Sequence, residues 1–217
     1  MTQTIGILGG TGPAGRGLAV RLATAGYNVV LGSRDAQRAE DTASGLAARG
    51  SGVISGGTNE QAAAGDVVIV ATPWDSAVAT VKDVKTSLAG KVVISMVNAL
   101  VKQGRELVPL FPPRGSMAAE LQAVVPDAHV TGAYHHLPAA DMENLDSGIE
   151  ADVVVVGDNA EARRVTAEIT NAMTGLRAVE AGSLALAGAV ESFTAVCISI
   201  NIRHKAHTYV RLAGLPS

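Results

Sequence analysis

The chain has 217 residues, which is long enough to bury a hydrophobic core without disulfides or metals. Its apolar fraction of 47 % and charged fraction of 17 % exclude a disordered chain, and its net charge of -3 argues against nucleic acid as a partner. Its one cysteine, Cys197, excludes an intrachain disulfide, and no signal peptide or transmembrane pattern is recognised. We therefore expect a soluble cytoplasmic protein with no membrane partner.

Short β-branched runs alternate with alanine-rich helical stretches along most of the chain. This alternation predicts an α/β fold, a doubly wound Rossmann-type and mostly parallel sheet with a small helical C-terminal part. The predicted strands, in chain order, are 4–8, 28–31, 53–55, 67–71, 91–96, 129–134, 152–157 and 177–180.

Helical patterns fill most of the intervals between these strands. The predicted helices are 13–25, 36–49, 76–88, 117–125, 160–173 and 183–212, with Asp35 and Ser116 as N-caps. Prolines predict a loop over 101–115, and the segment 135–149 is irregular. We expect a domain boundary that separates a nucleotide-type Rossmann domain, residues 1–181, from a small helical C-terminal domain, residues 182–217.

A glycine-rich turn follows the first strand and opens the first helix. Gly10, Gly12 and Gly15 have the spacing G-x-G-x-x-G, which allows a sharp turn, close approach of a pyrophosphate and tight helix–strand packing. The first-turn N–H groups and the helix dipole favour an anion there. We expect the pyrophosphate of a dinucleotide on the run Gly10, Thr11, Gly12, Pro13, Ala14 and Gly15.

The end of the second strand indicates NADP rather than NAD. An NAD site usually has an acid there for the ribose 2′-hydroxyl, whereas this chain has Ser33 and Arg34, with Arg38 one turn later. Charge-assisted hydrogen bonds from the two arginines would favour the 2′-phosphate by on the order of 100-fold or more. The alternative is two solvated arginines, one of them paired with Asp35.

With these residues in view, the sequence resembles the family of NADP-dependent oxidoreductases that use the deazaflavin coenzyme F-420. The resemblance extends over nearly the whole chain. Besides the glycine turn, Ser33, Arg34 and Arg38, it rests on the runs 73–74, 135–140, 144–146, 181–182 and 190–192.

The resemblance implies reversible hydride transfer between NADP(H) and the 8-hydroxy-5-deazaflavin coenzyme F-420, by a homodimer. It places the 2′-phosphate at Thr11, Ser33, Arg34 and Arg38. It places the nicotinamide half at Pro73, Trp74, Val78, Leu100 and Ala139, and the deazaflavin ring at His135, Leu137 and Ile198.

Hydride transfer of this kind needs little from protein side chains, because both reacting carbons belong to cofactors. The protein has to stack two rings and exclude water. We therefore expect no obligatory catalytic residue and no metal, with His135 as a candidate proton donor. The patterns of Leu137 and Ile198, taken alone, are also those of ordinary core residues.

Two other functions fit the same nucleotide-binding half. One is NADPH-dependent reduction of a small imine or keto acid, although such enzymes usually have a longer helical C-terminal domain. The other is a non-enzymatic NADPH-sensing module, which needs no site for a second ring.

Overall fold

In a computed structural model, which describes residues 3–47 and 52–215, one eight-stranded sheet dominates the fold. The ten strands are β1 Thr4–Leu8, β2 Asn28–Ser33, β3 Ile54–Thr58, β4 Val67–Val70, β5 Val92–Ser95, β6 Leu100–Gln103, β7 Glu106–Pro109, β8 His129–Gly132, β9 Ala151–Gly157 and β10 Leu176–Gly182. The large sheet has the order β10-β9-β8-β5-β4-β1-β2-β3, and β6 and β7 form a separate hairpin.

The sheet is parallel from β3 to β8, and only the β8–β9 pairing is antiparallel. Its central strands are apolar on both faces: Ile7 and Ile69 are fully buried in one core cluster, and Leu8 and Val68 in the cluster on the other face, as expected where helices cover both sides. The prediction of a doubly wound, mostly parallel Rossmann-type sheet is confirmed.

Helices connect the strands and cover the sheet. They are α1 Pro13–Thr24, α2 Ala36–Ala47, α3 Asn59–Ala63, α4 Trp74–Asp83, α5 Lys85–Leu88, α6 Met117–Val124, α7 Ala139–Glu143, α8 Ala160–Ala172 and α9 Ala187–His204. Both predicted N-caps are present, since Asp35 accepts from the Arg38 N–H and Ser116 from the Ala119 N–H. Residues 48 and 49 of the second predicted helix lie outside the described residues.

Four predictions of secondary structure are wrong. The segment 135–149, predicted to be irregular, contains the short helix α7. The segment 101–115 contains the hairpin strands β6 and β7, because Pro109 stands at the end of its strand, where it pairs with Leu100. Residues 183–212 are a short 3-10 helix, then α9, which ends at Lys205 with a left-handed φ of 51°. The single helix predicted over 76–88 is split into α4 and α5.

Arg21 anchors the segment around α7 to the first helix. Its buried guanidinium donates to the backbone carbonyls of Asp141, Met142, Asn144 and Ser147, at 2.9 to 3.2 Å. The carbonyls of Asp141 and Met142 lie in the last turn of α7, where helical carbonyls lack intrahelical donors, whereas those of Asn144 and Ser147 also accept from the N–H groups of Ser147 and Ile149. One arginine on α1 thus holds in place a segment that lines a small cavity next to Pro13.

We expect Arg21→Met to destabilise the protein by about 2–4 kcal/mol, because four backbone carbonyls lose a hydrogen bond from a charged donor together. The measurement is the free energy of unfolding in urea. Arg16→Ala is the matched control: Arg16 lies on the same helix and pairs with Glu143 of α7, but it is more than one-third exposed. That exposed pair is expected to contribute under about 1 kcal/mol. Equal losses in the two variants would contradict the anchoring role.

Candidate functional site

A cleft of about 480 Å3 opens along the carboxyl ends of the parallel strands β2, β1, β4 and β5. The chain continues from β1 to β2 on one side and returns to β4 on the other, so the cleft lies at the point where the strand order reverses. Ligands of open α/β sheets bind at such points. Its walls are formed by Gly9, Thr11, Gly12, Pro13, Ala14, Ser33, Arg34, Arg38, Asn59, Ala71, Thr72, Pro73, Trp74, Ser76, Thr80, Met96, Val97 and Asn98.

The first helix presents a free N-terminus to this cleft. Gly12 is its N-cap and supplies no side-chain hydrogen bond, Pro13 occupies the first turn, and that turn contains no acidic residue. No side chain of the first turn therefore neutralises the positive end of the helix dipole. The arrangement is suited to an anion such as a pyrophosphate.

The glycines of the turn differ in what surrounds them. A side chain at Gly15 would place its Cβ 2.7 Å from the Gly10 Cα, so Gly15 is required for packing inside the turn. A Cβ at Gly12 would meet nothing closer than the Gly9 carbonyl at 3.8 Å. Gly12 faces the cleft, and the protein itself leaves room for a side chain there.

The arginine end of the cleft lies at the end of β2. Arg34 and Arg38 are both exposed, and neither forms an ion pair within residues 3–47 and 52–215. Asp35 does not pair with them: its carboxylate caps α2 through the Arg38 backbone N–H at 3.1 Å. The Ser33 hydroxyl accepts from the Asp35 N–H. Two unpaired positive charges therefore stand at one end of the cleft.

Pro73 and Trp74 lie on the cleft wall beyond β4, where α4 begins. Trp74 is 38 % exposed. Beside them the Thr72 hydroxyl oxygen is buried with no hydrogen-bond partner in the described part of the chain. A buried hydroxyl without a partner is costly, and a bound ligand that supplies one would remove that cost.

Several residues predicted for the site lie outside the cleft walls. Gly10 and Gly15 form the interior of the turn. Ala139 lines a smaller neighbouring cavity of about 340 Å3 that also touches Pro13. The others, Val78, Leu100, Leu137 and Ile198, are half-buried, and Val78 and Leu137 pack against the two hydrophobic clusters of the core.

His135 lies beside the far end of the cleft and is buried. Its Nδ1 is 3.0 Å from the Asn98 side-chain oxygen, and its backbone carbonyl accepts from the Asn98 amide nitrogen at 2.8 Å. Burial lowers the pKa of His135 to about 3, with a further lowering by His136, so the ring is neutral near pH 7. The role of His135 as proton donor stays a prediction.

Three polar residues at or beside the cleft were not found from the sequence; one of them, Asn59, lies toward the arginine end, where its side-chain oxygen accepts from the Gly9 N–H at 3.2 Å. Asn98 and Asn59 line the cleft, and Thr194 of α9 donates to the His135 carbonyl at 3.1 Å. The two asparagines follow β5 and β3 at their carboxyl ends, which is the position where site residues of parallel sheets collect. Their position after strand ends could have identified the two asparagines from the sequence. Thr194 is 59 residues from His135, and no sequence pattern indicates their contact.

Glu191 connects α9 to the N-terminus of α6. It is buried, and its two carboxylate oxygens accept from the N–H groups of Met117 and Ala118 at 2.8 and 3.0 Å. Desolvation raises the pKa of Glu191 from 4.5 to about 7, against the opposing effect of these two hydrogen bonds. Glu191 therefore ties α9 to α6 through buried hydrogen bonds.

The raised pKa of Glu191 predicts a pH-dependent contribution to stability. Between pH 4.5 and 7 the native state binds this proton more tightly than the unfolded state, so the contribution is present at low pH and is lost as the pH rises through about 7. The stability of the protein relative to Glu191→Gln should fall by about 2–3 kcal/mol across this window. Urea unfolding of both proteins from pH 4.5 to 8 measures the difference, and a difference independent of pH would refute the shift.

No group of three His, Cys, Asp or Glu side chains that could hold a metal ion is found in the described ranges.

The fold and cleft together define the class of dinucleotide-binding Rossmann oxidoreductases. Residues 4–99 match the profile of a family described as NADP oxidoreductase coenzyme F420-dependent. The "F420-dependent NADP reductase" of Methanocaldococcus jannaschii is 35 % identical over 97 % of this chain and 98 % of that protein. The protein of the same name from Methanothermobacter marburgensis is 30 % identical over 98 % and 99 %. The chain belongs to the F420-dependent NADP reductase family.

Solved structures agree with the fold. The hypothetical protein SMa0349 of Sinorhizobium meliloti superposes with a TM-score of 0.72 at 25 % identity, over 89 % of this chain and 91 % of that one. The pyrroline-5-carboxylate reductase of Coxiella burnetii superposes with a TM-score of 0.64 at 16 % identity, over 94 % of this chain but 69 % of its own. At that identity the likeness concerns the fold alone.

Proposed function

We propose that this protein is an enzyme that transfers a hydride reversibly between NADP(H) and the 8-hydroxy-5-deazaflavin coenzyme F-420. The observation that carries the proposal is a single cleft with an uncapped helix N-terminus at its middle and two unpaired arginines at one end. Relatives named F420-dependent NADP reductase that align over almost the whole chain support the same function.

The residues present fit a bound NADP(H). The free N–H groups at the start of α1, on the turn from Gly10 to Gly15, would hold the pyrophosphate. Arg34 and Arg38, with the hydroxyls of Thr11 and Ser33, would hold the 2′-phosphate.

The end of the cleft beside β5 and Asn98, here called the ring end, is separated from the arginines after β2 by the strands β4 and β1. Three strand spacings correspond to about 14 Å. Pro73 and Trp74 would border the nicotinamide there. By resemblance to the family, Val78, Leu100 and Ala139 would lie on the same side, and His135, Leu137 and Ile198 would lie near the deazaflavin.

When bound, the two cofactors supply both reacting carbons, so the chain has only to bind, orient and exclude water. The neutral His135 ring carries its proton on Nδ1 and donates a hydrogen bond from there to the side-chain oxygen of Asn98. We infer that His135 orients this end of the cleft, and that solvent or His135 supplies the proton needed to complete reduction of the deazaflavin.

The C-terminal helix supports a homodimer. Residues Leu184–His204 are long and apolar enough to cross a membrane. They nevertheless include the buried Glu191 and pack partly on the sheet domain, with 28 % of the apolar stretch buried. Its exposed apolar side chains are Leu186, Phe193, Val196, Ile200 and Ile202. We propose that a second copy of this chain covers them in the cytoplasm. Light scattering should give a dimer mass that Phe193→Lys reduces to that of a monomer.

Turnover tests the proposed function directly. We expect NADPH to reduce oxidised F-420, followed as loss of deazaflavin absorbance, with NADH a much poorer donor. The same protein offered NADPH with cyclic imines or keto acids should show no oxidation. Tight NADPH binding without F-420 turnover would overturn the proposal in favour of an NADPH-sensing module or a different acceptor.

A further inference from the structure

Asn98, Thr194 and the backbone and ring of His135 form one hydrogen-bonded cluster at the ring end of the cleft. The cluster joins the segment after β5, the segment after β8 and the C-terminal helix α9. Of its members, Asn98 also lines the cleft. The Thr194 hydroxyl also lies 3.4 Å from the Asn98 side-chain oxygen, and the His135 Nε2 has no partner among the described residues. The donor and acceptor in each contact that holds the Asn98 amide can be assigned.

The His135 backbone carbonyl can only accept hydrogen bonds. The end of the Asn98 amide that faces this carbonyl at 2.8 Å is therefore the nitrogen, and the other end is the oxygen. The Asn98 oxygen in turn can only accept, so His135 donates to it from Nδ1 at 3.0 Å. The Thr194 hydroxyl donates to the His135 carbonyl at 3.1 Å, which occupies both lone pairs of that oxygen.

One polar hydrogen remains. A primary amide has two N–H groups, and Asn98 uses only one of them among the described residues. The amide cannot rotate to bring its second N–H to another partner, because the His135 ring holds the amide oxygen and the His135 carbonyl holds the amide nitrogen. The locked amide thus leaves a single N–H in a side chain of the cleft wall.

We propose that Asn98 is a ring-binding residue whose free amide N–H donates to a carbonyl oxygen of a redox ring, with His135 and Thr194 as the positioning residues that fix its orientation. The identity of the rings rests on the proposed function. The carbonyl belongs either to the nicotinamide carboxamide or to the pyrimidine edge of the deazaflavin, and both present the same acceptor chemistry.

Binding measurements test this independently of turnover. The affinity of Asn98→Ala is measured by ligand fluorescence for NADPH and for oxidised F-420, and by calorimetry for 2′-phospho-ADP-ribose, which lacks a nicotinamide. We expect a loss of about five- to tenfold for one of the two ring-bearing ligands, as for one hydrogen bond. The truncated nucleotide should lose less than twofold. A loss for NADPH assigns the nicotinamide, and a loss for F-420 alone assigns the deazaflavin.

Thr194→Val tests the positioning role and should lose some ring affinity, but less than Asn98→Ala. Asn171→Ala is the matched control, because it removes an asparagine amide on α8, outside the cleft, whose oxygen accepts from the Ala178 N–H. We expect it to change either ring affinity less than twofold. Asn98→Asp retains the size of the side chain and has no N–H to donate, so it should lose at least as much affinity as Asn98→Ala and covers the case in which that variant does not fold.

Three results would overturn the proposal: unchanged affinity for both rings, an equal loss for the truncated nucleotide, or an equal loss in Asn171→Ala. Failure of the wild-type protein to turn over F-420 would count against the proposed function and leave the NADPH arm of this test intact.

Discussion

Gly12→Val is expected to abolish NADPH binding, with a loss of affinity above about 100-fold, while the protein keeps its fold. Gly12 has an ordinary extended backbone, with φ -72° and ψ 163°, which valine also adopts. Its Cβ would lie 3.8 Å from the nearest protein atom, so the polypeptide tolerates the change. The valine side chain would instead occupy the space in which the pyrophosphate meets the helix N-terminus. Titration of NADPH fluorescence and thermal unfolding measure the two effects.

Gly15→Ala is the matched control for this prediction. Its Cβ would collide with the Gly10 backbone at 2.7 Å, so this variant should lose thermal stability as well as nucleotide affinity. Wild-type NADPH binding by Gly12→Val would show that the turn is not the pyrophosphate site.

Arg34→Ala is expected to weaken NADPH binding by about 10- to 100-fold and to change NADH binding less than threefold. Arg34 has no acidic partner among the described residues, so its charge is free for the 2′-phosphate that NADH lacks. One charge-assisted hydrogen bond is worth about 1.5–3 kcal/mol, and 1.4 kcal/mol is tenfold in affinity. Dissociation constants for both nucleotides, at one fixed salt concentration, provide the comparison.

Arg164→Ala controls for the loss of a positive charge. Arg164 lies on α8, paired with Glu161 and Glu168 and outside the cleft, so its removal should leave both affinities unchanged. Equal losses of NADPH and NADH affinity in Arg34→Ala would remove the assignment of the 2′-phosphate to this end.

The arginine end and the glycine turn could be predicted from the sequence because local rules fix them. A buried strand, three spaced glycines and Pro13 specify β1, the turn and the start of α1. The cap at Asp35 then directs its carboxylate to the backbone and leaves the neighbouring arginines unpaired.

The ring end could not be predicted in the same way. Asn98 and His135 are 37 residues apart, and Thr194 joins them from 59 residues beyond His135. Their meeting depends on the order of β5 and β8 in the sheet and on how α9 packs. No local pattern encodes either arrangement.

The end of the C-terminal helix α9 could not be predicted from the sequence either. An unbroken apolar pattern predicted one helix to about residue 212, yet the chain turns at Lys205 and the tail returns to the sheet. There the Leu212 N–H donates to the buried carboxylate of Asp152, which also pairs with Arg177. The division into residues 1–181 and 182–217 stays a prediction.

A crystal structure with NADP+ bound is the most direct measurement of where the nucleotide lies. We predict the pyrophosphate within hydrogen-bonding distance of the backbone N–H groups that open α1, and the 2′-phosphate between the guanidinium groups of Arg34 and Arg38. A nucleotide bound elsewhere, or both guanidinium groups directed into solvent away from it, would contradict the proposed site.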